Sequence, residues 1–267
     1  MLDKKTKHKP KLGTESYRQY CIESQSSLGL FTFILDSVMS SDYVSAVAKQ
    51  ALEGPENLKI ESPGELASIS PGPRTKHIRK NKQLFLELFL SRLVDNFQCY
   101  IVSVIREVLN VQPRVLVSSQ PTLSLEYVFQ FQNIEDLQAD VVEAKVNDLS
   151  YQGFQKLKQW CLERSIPIIV DSVFEAKLVE LISIRNIIVH NRGIIDKKYL
   201  RTHRDSKFEF GKLREIDVDE LFESDNILHK VVSDTDIAIQ GKFNLPTVTI
   251  SPDSKTPEGS AHDTRQK

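Results

Sequence analysis

Only three cysteines occur in 267 residues, Cys21, Cys99 and Cys161. They are odd in number, far apart, and form no Cys-x-x-Cys pair, so nothing suggests a thiolate zinc site or a dithiol redox motif, and a reducing compartment is the natural expectation. An excess of either charge is also missing: 35 basic side chains face 36 acidic ones. A global basic field for nucleic acid is therefore excluded, and only local patches serve that purpose. The N-terminus carries Lys4, Lys5, Lys7, Lys9 and Lys11, but no apolar h-region follows, so it does not read as a secretory signal. The longest apolar tract, Leu84 to Leu109, is interrupted by Arg92, Asp95, Asn96 and Arg106, too many polar groups for a lipid-spanning helix. No membrane association is expected, and the chain reads as cytoplasmic. There is no His-Glu-x-x-His, no cluster of His and Cys ligands, no Gly-x-Ser-x-Gly, no Walker loop and no internal repeat. Metal hydrolase, acyl transferase and NTPase readings lack support, and neither a metal nor a cofactor is expected.

What is present is the composition of an ordinary globular protein, 40% hydrophobic and 27% charged. Residues 1–13 read as a basic, disordered tail. Residues 14–53 lack proline and keep helical spacing through Leu28, Phe31, Leu35, Val38 and Met39, which predicts one or two N-terminal helices. Residues 54–75 gather Pro55, Pro63, Gly64, Pro71, Gly72 and Pro73 and read as a linker or long loop. From Ile78 to Asn110, Leu86, Leu90, Leu93, Phe97, Ile101, Val104 and Val108 recur every three or four positions, predicting a helix of roughly 50 Å. A second apolar line, Phe85, Phe89, Val102 and Ile105, makes that helix central. Two helices follow, over 133–147 and 151–163, and alternation over 123–131 suggests a short strand. A helix over Val173 to Asn191 begins after Asp171 or Ser172 as N-cap and stops at Gly193. A shorter helix starts near Asp196, and 217–240 is the last long one. Residues 246–267 are too poor in apolar groups to fold. The fold class is all-α, with a helical domain over 76–245.

On a helical wheel Leu178, Leu181, Ile182, Ile188 and Val189 form one apolar face, and Arg185 projects from its middle. An arginine there needs an anion or several acceptors, because an unpaired buried charge costs several kcal/mol. A core ion pair is the commonest answer. Asn186 and His190, four residues apart, stack on one side with Ser183 nearby, whereas Arg185 lies about 140° from His190 at about 100° per residue. The three converge only with a bend, long side-chain reach, or a second copy of the helix.

The run Arg185-Asn186-Ile187-Ile188-Val189-His190-Asn191, followed by Arg192-Gly193, resembles the Arg-Asn-x-x-x-His motif of the HEPN superfamily, all-helical domains that include many metal-independent ribonucleases of defence and toxin systems. The similarity extends upstream through Asn133-Ile134-Glu135-Asp136-Leu137 and downstream through Gly193 to Leu200, covering roughly residues 78–244. The resemblance implies a HEPN-like bundle with extra N-terminal helices, and an endoribonuclease whose own substrate 2′-hydroxyl attacks the phosphate to leave a 2′,3′-cyclic product. It implies that His190 acts as general base or acid, that Arg185 stabilises charge on the phosphate, and that Asn186 orients one of them. Catalytic helices of two facing protomers imply a homodimer, and a toxin or defence role implies an antitoxin or other partner protein. The alternative is a non-catalytic helical module that dimerises and binds a partner protein or RNA.

Other patterns carry less. His203-Arg204-Asp205 imitates a kinase catalytic loop without its companion motifs. Glu143-Ala144-Lys145 and Glu175-Ala176-Lys177 imitate half of a metal-dependent nuclease site, but residues two apart diverge on a helix. Two basic runs remain: Arg74, Lys76, Arg79, Lys80 and Lys82, and, after the motif, Arg192, Lys197, Lys198, Arg201, Arg204 and Lys207. Of the second run, Arg192, Lys197, Lys198 and Arg201 are the candidates for holding an RNA backbone.

Overall fold

The structure is a computed structural model and describes residues 11–54, 62–117, 122–204 and 207–250. Apart from one two-stranded sheet the described chain is all-α. Strand β1 (Lys11–Gly13) leads into the long helix α1 (Glu15–Glu53), then α2 (Pro63–Ile69), α3 (Pro73–Lys80) and α4 (Lys82–Val111). After a 3-10 turn come α5 (Leu125–Val128), α6 (Ile134–Tyr151), α7 (Phe154–Glu163), α8 (Ser172–Asn191), α9 (Lys197–Thr202), α10 (Val218–Phe243) and strand β2 (Val248–Ile250).

Helix α4 is the centre of the bundle because both its apolar lines find partners. Leu86, Leu90, Leu93, Phe97, Ile101, Val104 and Val108 are all buried, as are Phe89 and Ile105 from the second line, and α1, α6, α8 and α10 pack around them. Helix α1 lies antiparallel to α4. Its start meets the end of α4, where Ser16 N donates to Glu107 Oε1 at 2.8 Å. Further along, Asn96 Nδ2 donates to Tyr20 O at 2.9 Å, and Phe31 packs on Phe85 and Phe89 with ring centroids 5.2 and 5.1 Å apart. By length and composition α1 and α4 each reach the range of a membrane span, and half of the apolar window of α4 is buried inside the bundle.

Four expectations need correction. The stretch expected as a linker over 54–75 contains helix α2 and the start of α3, whereas residues 55–61 lie outside the described residues. Proline does not prevent these helices, because Pro63 and Pro73 sit in the first turn, where no backbone N–H is required. Ser62 caps α2 through Glu65 N at 3.2 Å, and Asp42 of α1 caps α3 by accepting from Thr75 N at 2.7 Å and Arg74 N at 3.2 Å. The expected strand over 123–131 is the short helix α5, started by Ser124. Lys11–Gly13 and Val248–Ile250, expected within disordered tails, instead pair antiparallel with each other, while residues 1–10 and 251–267 lie outside the described residues. Finally, α1 is not a separate N-terminal unit: Tyr17, Tyr20, Cys21 and Phe31 belong to the same core as α4 and α10.

Candidate active site

Helix α8 carries the candidate residues, and its ends are set locally. Asp171 Oδ1 accepts from Val173 N at 3.0 Å to start it. At the other end Arg192 and Gly193 both adopt positive φ, at 54° and 73°. Gly193 N then donates back to Ile187 O at 3.0 Å, the closure of a left-handed helix terminus. A Cβ at Gly193 would stand 2.7 Å from Glu87 Oε1, so this glycine is demanded by space as well as by φ. The termination places His190, exposed, in the last turn. The buried face of α8 is formed by Leu178, Leu181, Ile182, Ile184 and Ile187. Val189, expected on that face, is instead half exposed at 51%, because the core contact turns around the helix past Ile182 and leaves the Arg185–Val189 side near the surface.

Arg185 therefore does not sit in a sealed core. Its Nε is 2.6 Å from Asp95 Oδ1 of α4, with both side chains partly exposed. The Nε–H itself points past that oxygen and has no directed hydrogen bond, so the contact is ionic. Arg185 Nη1 also donates to Asn186 Oδ1 at 3.3 Å. Asn186 and His190 line one cavity of about 180 Å³ together with Ser183, Lys198, Tyr199 and Thr202. Arg185 is not among the residues lining it. The fold thus gathers Asn186, His190 and Lys198, and ties Arg185 to the group through Asn186, while the Arg185 charge faces Asp95.

The basic candidates differ from one another. Lys198 borders the cavity. Lys197 Nζ stands 5.8 Å from the Phe210 ring centroid, and Arg201 Nε donates to Lys197 O within its own helix at 3.2 Å. Arg192 is exposed at the left-handed turn. All four lie on the surface just after His190. The two Glu-x-Lys pairs do diverge: Glu143 pairs with Arg106 and Lys145 with Asp148, while Glu175 pairs with Lys158 and Lys177 with Glu220. Asp205 lies outside the described residues. Among the described residues no group of three or more His, Cys, Asp and Glu side chains is placed to hold a metal ion.

A buried polar network behind the cavity was not foreseen. The Arg214 guanidinium, 5% exposed, donates to Glu220 Oε1 at 2.6 Å and Glu180 Oε1 at 3.2 Å. Tyr199 OH donates to the same Glu180 oxygen at 3.1 Å, and Lys177 Nζ donates to Glu220 at 2.9 Å. Burial pushes the Tyr199 hydroxyl up to about 12, so it stays protonated and remains a donor. For Glu180, burial pushes upward, but Lys177, Arg214 and Tyr199 together outweigh it and hold the carboxyl below its ordinary value. The network clamps α8, α9 and α10 to one another and so fixes the wall of the cavity opposite His190. Its members are scattered over 44 residues of sequence, from Lys177 through Arg214 to Glu220, with no spacing rule to connect them; the one local signal is Glu180 following Lys177 on the same helical side.

No protein-family model matches the chain, and no characterised protein or solved structure is significantly similar to it.

Proposed function

We propose that the chain is a metal-independent endoribonuclease of a phage-defence or toxin-like system, built on a HEPN-like bundle and acting as a homodimer. The observation that carries this reading is the cavity at the end of α8, lined by His190, Asn186 and Lys198, with Asn186 in turn accepting a hydrogen bond from Arg185. RNA brings its own nucleophile, a 2′-hydroxyl held by the ribose next to the scissile phosphate, so the protein must supply a proton acceptor and cations for the developing charge. His190 takes the proton from the 2′-hydroxyl as its oxygen bonds to phosphorus, the bond to the leaving 5′-oxygen breaks, and that oxygen takes up a proton from water while the His190 imidazolium returns its own to water, so that no net proton is consumed. The products are a 2′,3′-cyclic phosphate and a free 5′-hydroxyl. Imidazole is suited to this at neutral pH. Arg185 and Lys198 meet the phosphate charge, Arg185 with a planar pair of donors once a phosphate competes with Asp95. A second copy of α8 facing the first would bring another Arg185 towards His190.

The second reading, a non-catalytic dimerisation module that binds a partner protein or RNA, draws support from the Arg185–Asp95 ion pair, which satisfies the arginine without any substrate. The two are separated by incubating wild type, His190→Ala and Arg185→Ala with labelled RNA and matched DNA, with and without EDTA. Cleavage of RNA alone, insensitive to EDTA and lost in both variants, with a cyclic-phosphate end, is the expected result. Losing one general base typically costs 10²- to 10⁴-fold in rate. Cleavage of DNA, dependence on a metal, or an active His190→Ala protein defeats the mechanism, and an inactive wild type favours the binding module.

A further inference from the structure

Helix α8 turns one side to α9 and to the segment that follows it, bridged midway where Tyr199 OH donates to Glu180 at 3.1 Å. Its C-terminal half, through Ser183, Asn186 and His190, lines the cavity of about 180 Å³. Its N-terminal half, through Val173, Lys177 and Glu180, lines a second cavity of about 550 Å³ with His203, Lys207 and Phe208. Steps of three and four residues keep all of these on the same helix side, and Thr202 borders both cavities. From His190 back to Val173 the two together run roughly 25 Å at 1.5 Å per residue.

The chemistry along this line suits an anion with repeating charge. The two cavities are lined by four cations, Lys177, Lys198, Arg204 and Lys207, against two carboxylates, Glu180 and Asp196. Both carboxylates are already engaged, Glu180 by Arg214 and Tyr199 and Asp196 by Tyr199 N at 2.6 Å as the cap of α9. Lys177 is likewise engaged by Glu220 and Glu180, so three of the four cations count. Lys198, Arg204 and Lys207 are exposed and pair with no carboxylate among the described residues. The inner wall offers different groups. His203 packs its ring against Tyr199 at 4.7 Å, and its buried Nε2 has no hydrogen-bond partner among the described residues. Burial lowers the pKa of His203, with Glu180 and Arg214 acting in opposite directions, which leaves a neutral imidazole suited to a base edge. Phe208 contributes an aromatic ring, with the Arg214 guanidinium 4.2 Å from its centroid. Cations along a rim with an aromatic ring and a neutral polar group inside are the parts from which single-strand sites are built.

We propose that this groove is a track for single-stranded RNA, holding about four nucleotides, the short end of known single-strand site sizes, continuous with the scissile dinucleotide. Arg204 and Lys207 hold backbone phosphates, and His203 and Phe208 receive a base. The proposal rests on reading His190 as the cleavage end of the groove. It is tested by fluorescence anisotropy with a labelled, fully 2′-O-methylated octanucleotide, which has no free 2′-hydroxyl to attack, and a dinucleotide of the same kind. Wild type should bind the octanucleotide at least tenfold more tightly than the dinucleotide. Arg204→Glu/Lys207→Glu should lose at least tenfold for the octanucleotide, while Lys49→Glu, at the far end of α1, should bind as wild type. Lys207→Ala should lower the slope of log affinity against log salt by roughly 0.7, the value for one single-strand phosphate contact. Thermal unfolding verifies that each variant is folded. Equal affinity for the two lengths, indifference to the charge reversal, or tighter binding of the same octanucleotide as a duplex overturns the track. Length-dependent binding with no cleavage of ordinary RNA would overturn the ribonuclease reading and leave the track standing; cleavage without length dependence does the reverse.

Discussion

Arg185 on α8 and Asp95 on α4 form an ion pair across the helix interface, with Nε 2.6 Å from Oδ1. The pair joins the candidate site to the central helix. It also sets the direction of the arginine charge, away from the cavity that Asn186 and His190 line. Asp95 is thus the anchor of Arg185 and, on the proposed ribonuclease reading, its competitor for phosphate.

The strength of that pair is accessible to a double-mutant cycle with Asp95→Ala and Arg185→Ala. Both side chains are partly solvated, so the coupling should be no more than about 1 kcal/mol, read from urea unfolding. A coupling of several kcal/mol would mean that the pair is a buried structural element.

Arg214 should behave very differently. Arg214→Met leaves Glu180 and Glu220 without their shared cation in a mostly buried site, and removing one partner of such a network costs roughly 3–5 kcal/mol. The pH dependence follows from Glu180. Its folded pKa is depressed below the ordinary glutamate value, so its stabilisation is present above the unfolded pKa and is lost as pH falls through the folded one. The wild type should lose stability on the acid side of the glutamate range, and Arg214→Met should show less of this loss. Chemical denaturation at several pH values checks both points.

Gly193→Ala should destabilise the end of α8. The residue has φ of 73°, and its new Cβ would press on Glu87 Oε1 and Leu213 Cδ1 at 2.7 and 3.1 Å. The strain of the left-handed conformation alone is of order 1 kcal/mol, and the contacts add to it. A lowered unfolding midpoint is expected and, on the proposed ribonuclease reading, reduced RNA cleavage with it, since the same turn places His190; an unchanged midpoint would show that the turn relaxes freely.

Deleting residues 1–13 should lower stability measurably. The deletion removes the strand paired with Val248–Ile250 and the residue that precedes Thr14. Thr14 is the fully buried cap of α1, which donates through its N and Oγ1 to Asp236 at 3.2 and 2.6 Å. Calorimetry of the truncated and full-length chains decides the matter, and equal midpoints would show that Thr14 and Asp236 hold the end of α1 without β1.

Much of the local structure could be read from the chain. The two apolar lines of α4, the Asp171 cap and Gly193 stop of α8, and the stacking of Asn186 with His190 all follow from spacings of a few residues, because helical periodicity and capping are local physics. The helices inside the proline-rich stretch were legible in principle, since Ser62-Pro63 and Gly72-Pro73 place proline at helix starts, but the count of prolines and glycines obscured their positions. Three decisions belonged to the tertiary structure alone. Asp95 became the partner of Arg185, Lys198 joined His190 in one cavity, and Arg214 gathered Glu180, Glu220 and Tyr199. Each depends on how separate helices pack, and charge pairing between distant residues leaves no periodic trace in a sequence, because what selects the partner is proximity in the folded bundle and the cost of burying either charge alone.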